Sequence, residues 1–107
     1  MRDMALHYKV ELTPEAKADL RGVHEYITRE FYDSETARKQ SDRILKAAET
    51  LAVFPKLYRV RKRNTSGQEF RYMPVDNFVI IYTVDDSKHI VNVLHILYGR
   101  RNFENIL

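Results

Sequence analysis

The sequence predicts an α+β fold of order β-α-α-β-β-β, in which a mainly antiparallel sheet carries a helical hairpin on one face. Two segments of helical period follow one short alternating strand, and after them come only β-branched and aromatic stretches. Helices segregated from a run of strands indicate α+β and not the alternating α/β pattern. A chain of 107 residues has the size of one domain with one core, so residues 1–107 are read as a single domain.

The elements follow in order. In "LHYKVEL" the residues Leu6, Tyr8, Val10 and Leu12 alternate with His7, Lys9 and Glu11, the pattern of a strand with one buried face. Thr13 then stands as an N-cap with Pro14 at the first helical position, and Ala16, Leu20, Val23, Ile27 and Phe31 form one apolar stripe. A second helix is predicted to start from Ser34 as N-cap, with Ala37, Ser41, Ile44, Ala48 and Leu51 on one face and Pro55 ending it. Only "YDS" lies between the helices, which favours an antiparallel hairpin. From Lys56 to Gln68 the apolar content falls, and Asn64, Thr65, Ser66 and Gly67 mark a mobile loop. "EFRYM" is predicted as a strand interrupted by Pro74, "NFVIIYTV" as a nearly continuous buried strand, "DDSK" as a turn, and "HIVNVLHILY" as the last strand. Gly99 frees the chain into the tail "RRNFENIL".

Composition excludes several function classes. Hydrophobic residues make up 44% of the chain, too many for a disordered segment. No apolar run approaches the roughly 18 residues of a membrane span, and the amino terminus lacks the apolar core of a signal peptide, so a cytoplasmic location away from membranes is expected. With no Cys there is no disulfide, thiol nucleophile or thiolate metal site, and His7, His24 and His89 have no ligand spacing. Neither a metal nor a cofactor is expected. Glycine-rich phosphate loops and the serine-hydrolase and zinc-protease signatures are likewise missing.

The net charge of +3 says less than its distribution, because cations gather in "YRVRKRNTSGQEFRY" and in the tail. Arg59, Arg61 and Arg63 alternate with Val60 and Lys62, so an extended segment would project three guanidiniums to one side, suited to phosphate or to acidic groups. The same cations also fit a solvated loop. Arg71, between Phe70 and Tyr72, is held on a strand and faces away from both. A sheet with helices on one face leaves the other open, and a ligand is expected there. In "HILYGRR", His95 points away from Ile96 and Tyr98 and has a side chain suited to proton exchange, or is a packed structural histidine. Arg100 and Arg101 could steady an anion or pair with acids such as Glu104. Asp85 and Asp86 are explained by the turn they sit in.

"YKVELTPEAKADLRGVHEYI", "FRYMPVDNFVIIYTVDD" and "VNVLHILYGRRNFENIL", in this order and over nearly the whole chain, resemble the RelE/ParE superfamily of bacterial type II toxin–antitoxin toxins. The resemblance implies a toxin neutralised by a cognate antitoxin, with operator DNA bound only through that complex. It first implies inhibition of translation by metal-independent mRNA cleavage at the ribosome. Its alternatives are a ParE-like poison of DNA gyrase without catalysis, or a non-toxic regulatory partner of the antitoxin. In the nuclease reading Arg71 and Arg101 match family cations, His95 or Glu69 would accept a proton, Tyr98 would donate one, and Arg100 would join the phosphate clamp. Arg59, Arg61, Lys62 and Arg63 would contact RNA or the partner, and Phe103, Ile106 and Leu107 would contact the antitoxin. Two departures stand out: Val79 occupies a position where many nuclease members carry arginine, and the chain ends in "NIL" where some carry Tyr or His.

Overall fold

The computed structural model describes residues 7–99. A five-stranded sheet runs in the order β1-β5-β4-β3-β2, built from β1 (Lys9–Leu12), β2 (Val60–Arg63), β3 (Glu69–Val75), β4 (Phe78–Asp85) and β5 (Ile90–Tyr98). Strand β1 pairs in parallel with β5, and every other pairing is antiparallel. Helices α1 (Pro14–Phe31) and α2 (Ser34–Glu49) form the hairpin on one face, and a 3-10 turn, Thr50–Ala52, closes it. The α+β class and the order of the expected elements hold. The added strand is β2, which lies inside the segment expected to be a mobile loop.

The helix boundaries show which caps prevail. Thr13 Oγ1 accepts from the Ala16 N–H at 3.1 Å, with Pro14 next to it, as the sequence indicates. The second cap is Asp33 and not Ser34: its carboxylate accepts from the N–H groups of Glu35 and Thr36 and from the Thr36 hydroxyl. An anion at this position also gains from the helix dipole, and the Thr36 hydroxyl first among these bonds holds the Asp33 carboxyl below the usual range. Because Asp33 caps, Tyr32 alone makes the reversal, with φ of 51°.

The core lies between the hairpin and the sheet. Ala16, Ile44, Ala48 and Leu51 from the helical layer pack on Met73, Ile80, Tyr82, Val91, Val93 and Ile96. Phe31 departs from the expected stripe, being 64% exposed as the last residue of α1. On the opposite face Phe70, Ile81 and Leu97 form a second apolar cluster with Tyr72, Val79 and Leu94 around it.

Two local features explain the strands. Pro74 does not interrupt β3: it pairs with Val79 of β4, and β2 reaches only as far as Arg71, so no strand on the outer side needs a proline N–H. Asn64 fixes the β2–β3 connection by accepting at Oδ1 from the N–H groups of Ser66 and Gln68, while Gly67 supplies φ of 89°. The expected mobile loop thus divides into a strand and a side-chain-anchored turn.

Candidate functional site

Phe70 and Tyr72 lie on the open face, so Arg71 between them lies on the helix-covered face, opposite Tyr82 of β4. Arg71 does face away from its two neighbours. Arg71 therefore does not lie on the open face, which carries the apolar cluster. Arg71 instead borders a cleft of about 220 Å³ beyond the helices, lined chiefly by Lys56, Gln68, Glu69, Arg71 and Asp86.

The cleft is charge-compensated. The Arg71 side chain is only 13% exposed, donates from Nη1 to the Tyr58 carbonyl at 2.7 Å, and stands 4.0 Å from Glu69. Glu69 also pairs with Arg63 at 2.9 Å. Lys56 meets Asp86 at 2.6 Å, and Tyr8 donates to the other Asp86 oxygen at 2.7 Å. The bond from Lys56 first, then that from Tyr8, holds the Asp86 carboxyl below its usual range, and the Asp86 bond pushes the Tyr8 hydroxyl up. Asp86 therefore does more than complete a turn. Asp85 makes the turn, accepting from Ser87 Oγ and Lys88 N–H. Beneath the cleft Tyr82 is fully buried and donates to the Pro55 carbonyl at 2.8 Å; burial pushes its pKa up to about 12, against the opposing pull of Arg71.

The remaining candidates are elsewhere. His95 Nδ1 lies 3.0 Å from Asp19 of α1, and the Ile96 N–H donates to the same Asp19 oxygen at 3.0 Å. The physical reason is a register shift: Tyr82 pairs with Val93 and Ile81 with His95, leaving Leu94 as an extra residue on β5 just where β1 has ended and α1 runs alongside. His95 thus reaches α1 and not the open face. Tyr98 sits opposite Phe78 at the far end of β4 from Tyr82, so about 13 Å of strand separates its level from that of Arg71. Gly99 lies against the neighbouring turn, its N–H bonded to the Asn77 carbonyl at 2.7 Å, where a Cβ would crowd that oxygen at 3.1 Å.

The loop cations do not share one side. Val60 pairs with Arg71 and Lys62 with Phe70, so Arg61 is a bulge residue. Its guanidinium lies 5.2 Å from the centre of the Tyr72 ring on the open face, whereas Arg63 pairs with Glu69 on the helix-covered one. Arg59 is exposed just before β2. Arg100, Arg101, Phe103, Ile106 and Leu107 lie outside the described residues.

The structure therefore brings together Arg71, Glu69 and Arg63, and separates them from His95 and Tyr98. Sequence reasoning missed Lys56, Asp86, Tyr8 and Asp19. Only Asp86 left a trace, as a second acid in a turn that one acid satisfies. Among the described residues no group of three His, Asp or Glu side chains could hold a metal ion, and no helix is long and apolar enough to cross a membrane.

This fold is similar to that of solved chains from ParDE and RelBE toxin–antitoxin systems. A chain of the chromosomal ParDE system from P. aeruginosa superposes with a TM-score of 0.71 at 17% identity, covering 86% of this chain and 96% of that one. The archaeal RelE–RelB complex from Pyrococcus horikoshii OT3 gives 0.64 at 14%, covering 90% and 99%. The RelBE2 toxin–antitoxin complex from Mycobacterium tuberculosis gives 0.64 at 17%, covering 91% and 97%. No curated protein sequence matches the chain at a significant level. The family model for the ParE toxin of the type II toxin–antitoxin system parDE matches residues 10–103, and the chain belongs to that family.

Proposed function

We propose that this type II toxin acts by binding DNA gyrase, that an antitoxin holds it inactive, and that it does not cleave RNA. The observation that carries the reading is the scatter of its acid–base groups. Cleavage by an attacking 2'-hydroxyl needs a proton acceptor, a proton donor and a cation around one phosphate, in near-attack geometry. Here His95 is committed to Asp19, Tyr98 is at the far end of the sheet, and Arg71 spends Nη1 on the Tyr58 carbonyl. Among the described residues, the cations that line the cleft, Lys56 and Arg71, face two acids, Glu69 and Asp86, which weakens its attraction for a phosphate. A toxin that poisons a protein needs shape and charge, not a catalytic constellation. Membership of the ParE family supports the same reading, as does the antitoxin in the solved complexes of its structural neighbours.

The test is induction of the chain alone in cells, with gyrase-cleaved DNA and mRNA ends at ribosomes read separately. Cleaved DNA should accumulate while mRNA stays intact, and His95→Gln and Tyr98→Phe should keep growth arrest. New mRNA ends without cleaved DNA would overturn the reading. Co-expression of a short acidic reading frame adjacent to the gene should restore growth.

A further inference from the structure

We infer that the tip of the helical hairpin is the surface with which this chain engages gyrase, its aromatic side chains entering an apolar pocket on a cationic face of that enzyme. The inference rests on the gyrase reading for the identity of the partner and adds where on the toxin the two meet. Tyr26 and Phe31, near the end of α1, and Tyr32, at the reversal, are 53%, 64% and 93% exposed. Tyr32 is also the C-cap of α1, with φ of 51° and ψ of 36°. That left-handed backbone suits glycine or asparagine and opposes a bulky side chain. A tyrosine held there almost wholly in water adds little burial to the fold, so stability does not account for it. Recognition accounts for it better, because tyrosine offers a large rigid contact area with few torsions to freeze, and such anchors dominate interface energetics.

Charge selects the occupant. Residues 25–36 carry four acids, Glu25, Glu30, Asp33 and Glu35, against one cation, Arg29, and of the acids Glu35 is paired with Arg38. A nucleic acid or an anionic membrane is repelled by such a rim, and a second copy of the chain would bring the same acids against these. An enzyme that handles DNA carries cations to hold the phosphates, so gyrase presents a complementary face. The exposed Val53, Phe54 and Leu57 differ, because the basic run of residues 59–63 follows them. That patch suits an acidic partner and not a cationic one.

The experiment measures binding of the labelled full chain to purified gyrase by fluorescence anisotropy, beside DNA cleavage by the same gyrase. Tyr32→Gly is the sharpest variant, since it removes the ring and leaves a residue that the left-handed backbone favours. Its melting temperature should equal or exceed that of the native chain, while gyrase binding and DNA cleavage fall about tenfold or more. Phe31→Ser should weaken binding in the same direction, and Glu25→Lys with Glu30→Lys should weaken it and flatten its dependence on salt. Phe54→Ser with Leu57→Ser, on the oppositely charged patch, should leave gyrase binding unchanged. Native-strength binding by both the Tyr32→Gly and the Phe31→Ser chains, or a loss confined to the Phe54 and Leu57 variant, would overturn the inference and leave the gyrase reading standing. A native chain that neither binds gyrase nor raises its DNA cleavage would overturn both.

Discussion

The two edges of the sheet are finished in opposite ways. Strand β1 is sealed at its start, where the Tyr8 N–H donates outward to the Ala52 carbonyl at 2.7 Å, and it is bonded inward to β5, the Lys9 N–H to His89 at 2.8 Å and the Thr13 N–H to Val93 at 3.0 Å. Its residues are continuous with the main core through Val10 and Leu12. Strand β2 is short, bulged and cationic, and touches the molecule chiefly through β3. One edge is fastened by burial and backbone bonds. Among the described residues no strand pairs with the outer side of the other, and its charge opposes self-pairing.

This contrast predicts where substitutions cost stability. Leu51, 1% exposed, sits on the 3-10 turn whose Ala52 carbonyl seals β1. Leu51→Ala should destabilise by about 2–5 kcal/mol through lost burial and a residual cavity. Urea unfolding should show the loss as a lower midpoint with the slope unchanged. A cost under about 1 kcal/mol would mean that the turn closes over the gap and that the β1 edge is less firmly packed than its bonds suggest.

Tyr82 stands between the two edges and gives a pH-dependent test. Its folded pKa of about 12 lies above the ordinary 10.0, so the folded state keeps its proton after the unfolded chain has lost it. The stability it contributes is complete below pH 10 and declines as pH rises through about 12. Tyr82→Phe should remove that alkaline decline, measured by urea midpoints across the range. At neutral pH it should cost about 1–3 kcal/mol, because the buried Pro55 carbonyl loses its donor.

The sealed edge was more legible in the sequence than the open one. Alternation in "YKVEL", the Thr13–Pro14 cap and the stripes around Ile27 and Ile44 each follow from a local rule, so tertiary packing only had to agree with them. The candidate site depends on what the sequence does not encode locally. A register shift at Leu94 swung His95 to Asp19, 76 residues away in the chain, and a bulge at Arg61 split three cations that simple alternation places together. Lys56 and Asp86 lie in elements 30 residues apart and meet only through the fold. Strand β2 was hidden because its charges suit a solvated loop and a basic edge strand equally well.

Thr13 ties the sealed edge to the helical layer. Its Oγ1 caps α1 and also donates to the Leu94 carbonyl at 3.0 Å. Thr13→Ala should cost about 1 kcal/mol, with thermal unfolding shifted down, and Thr13→Ser should restore most of it. If serine fails, the threonine methyl and its packing against β5 matter more than the hydroxyl.

The smallest effect is expected on the open edge. Arg63 pairs with Glu69, yet the two side chains are 63% and 43% exposed, so solvent and salt screen the attraction and ordering two long side chains opposes it. Arg63→Ala should change stability by less than about 0.5 kcal/mol in urea unfolding, although the pair joins the end of β2 to β3. Glu69 would then be freed to turn its carboxylate toward Arg71, whose nearest approach to it is 4.0 Å. A loss above about 1 kcal/mol would show that the β2 edge is fastened by this pair, and the contrast with β1 would have to be drawn from burial alone.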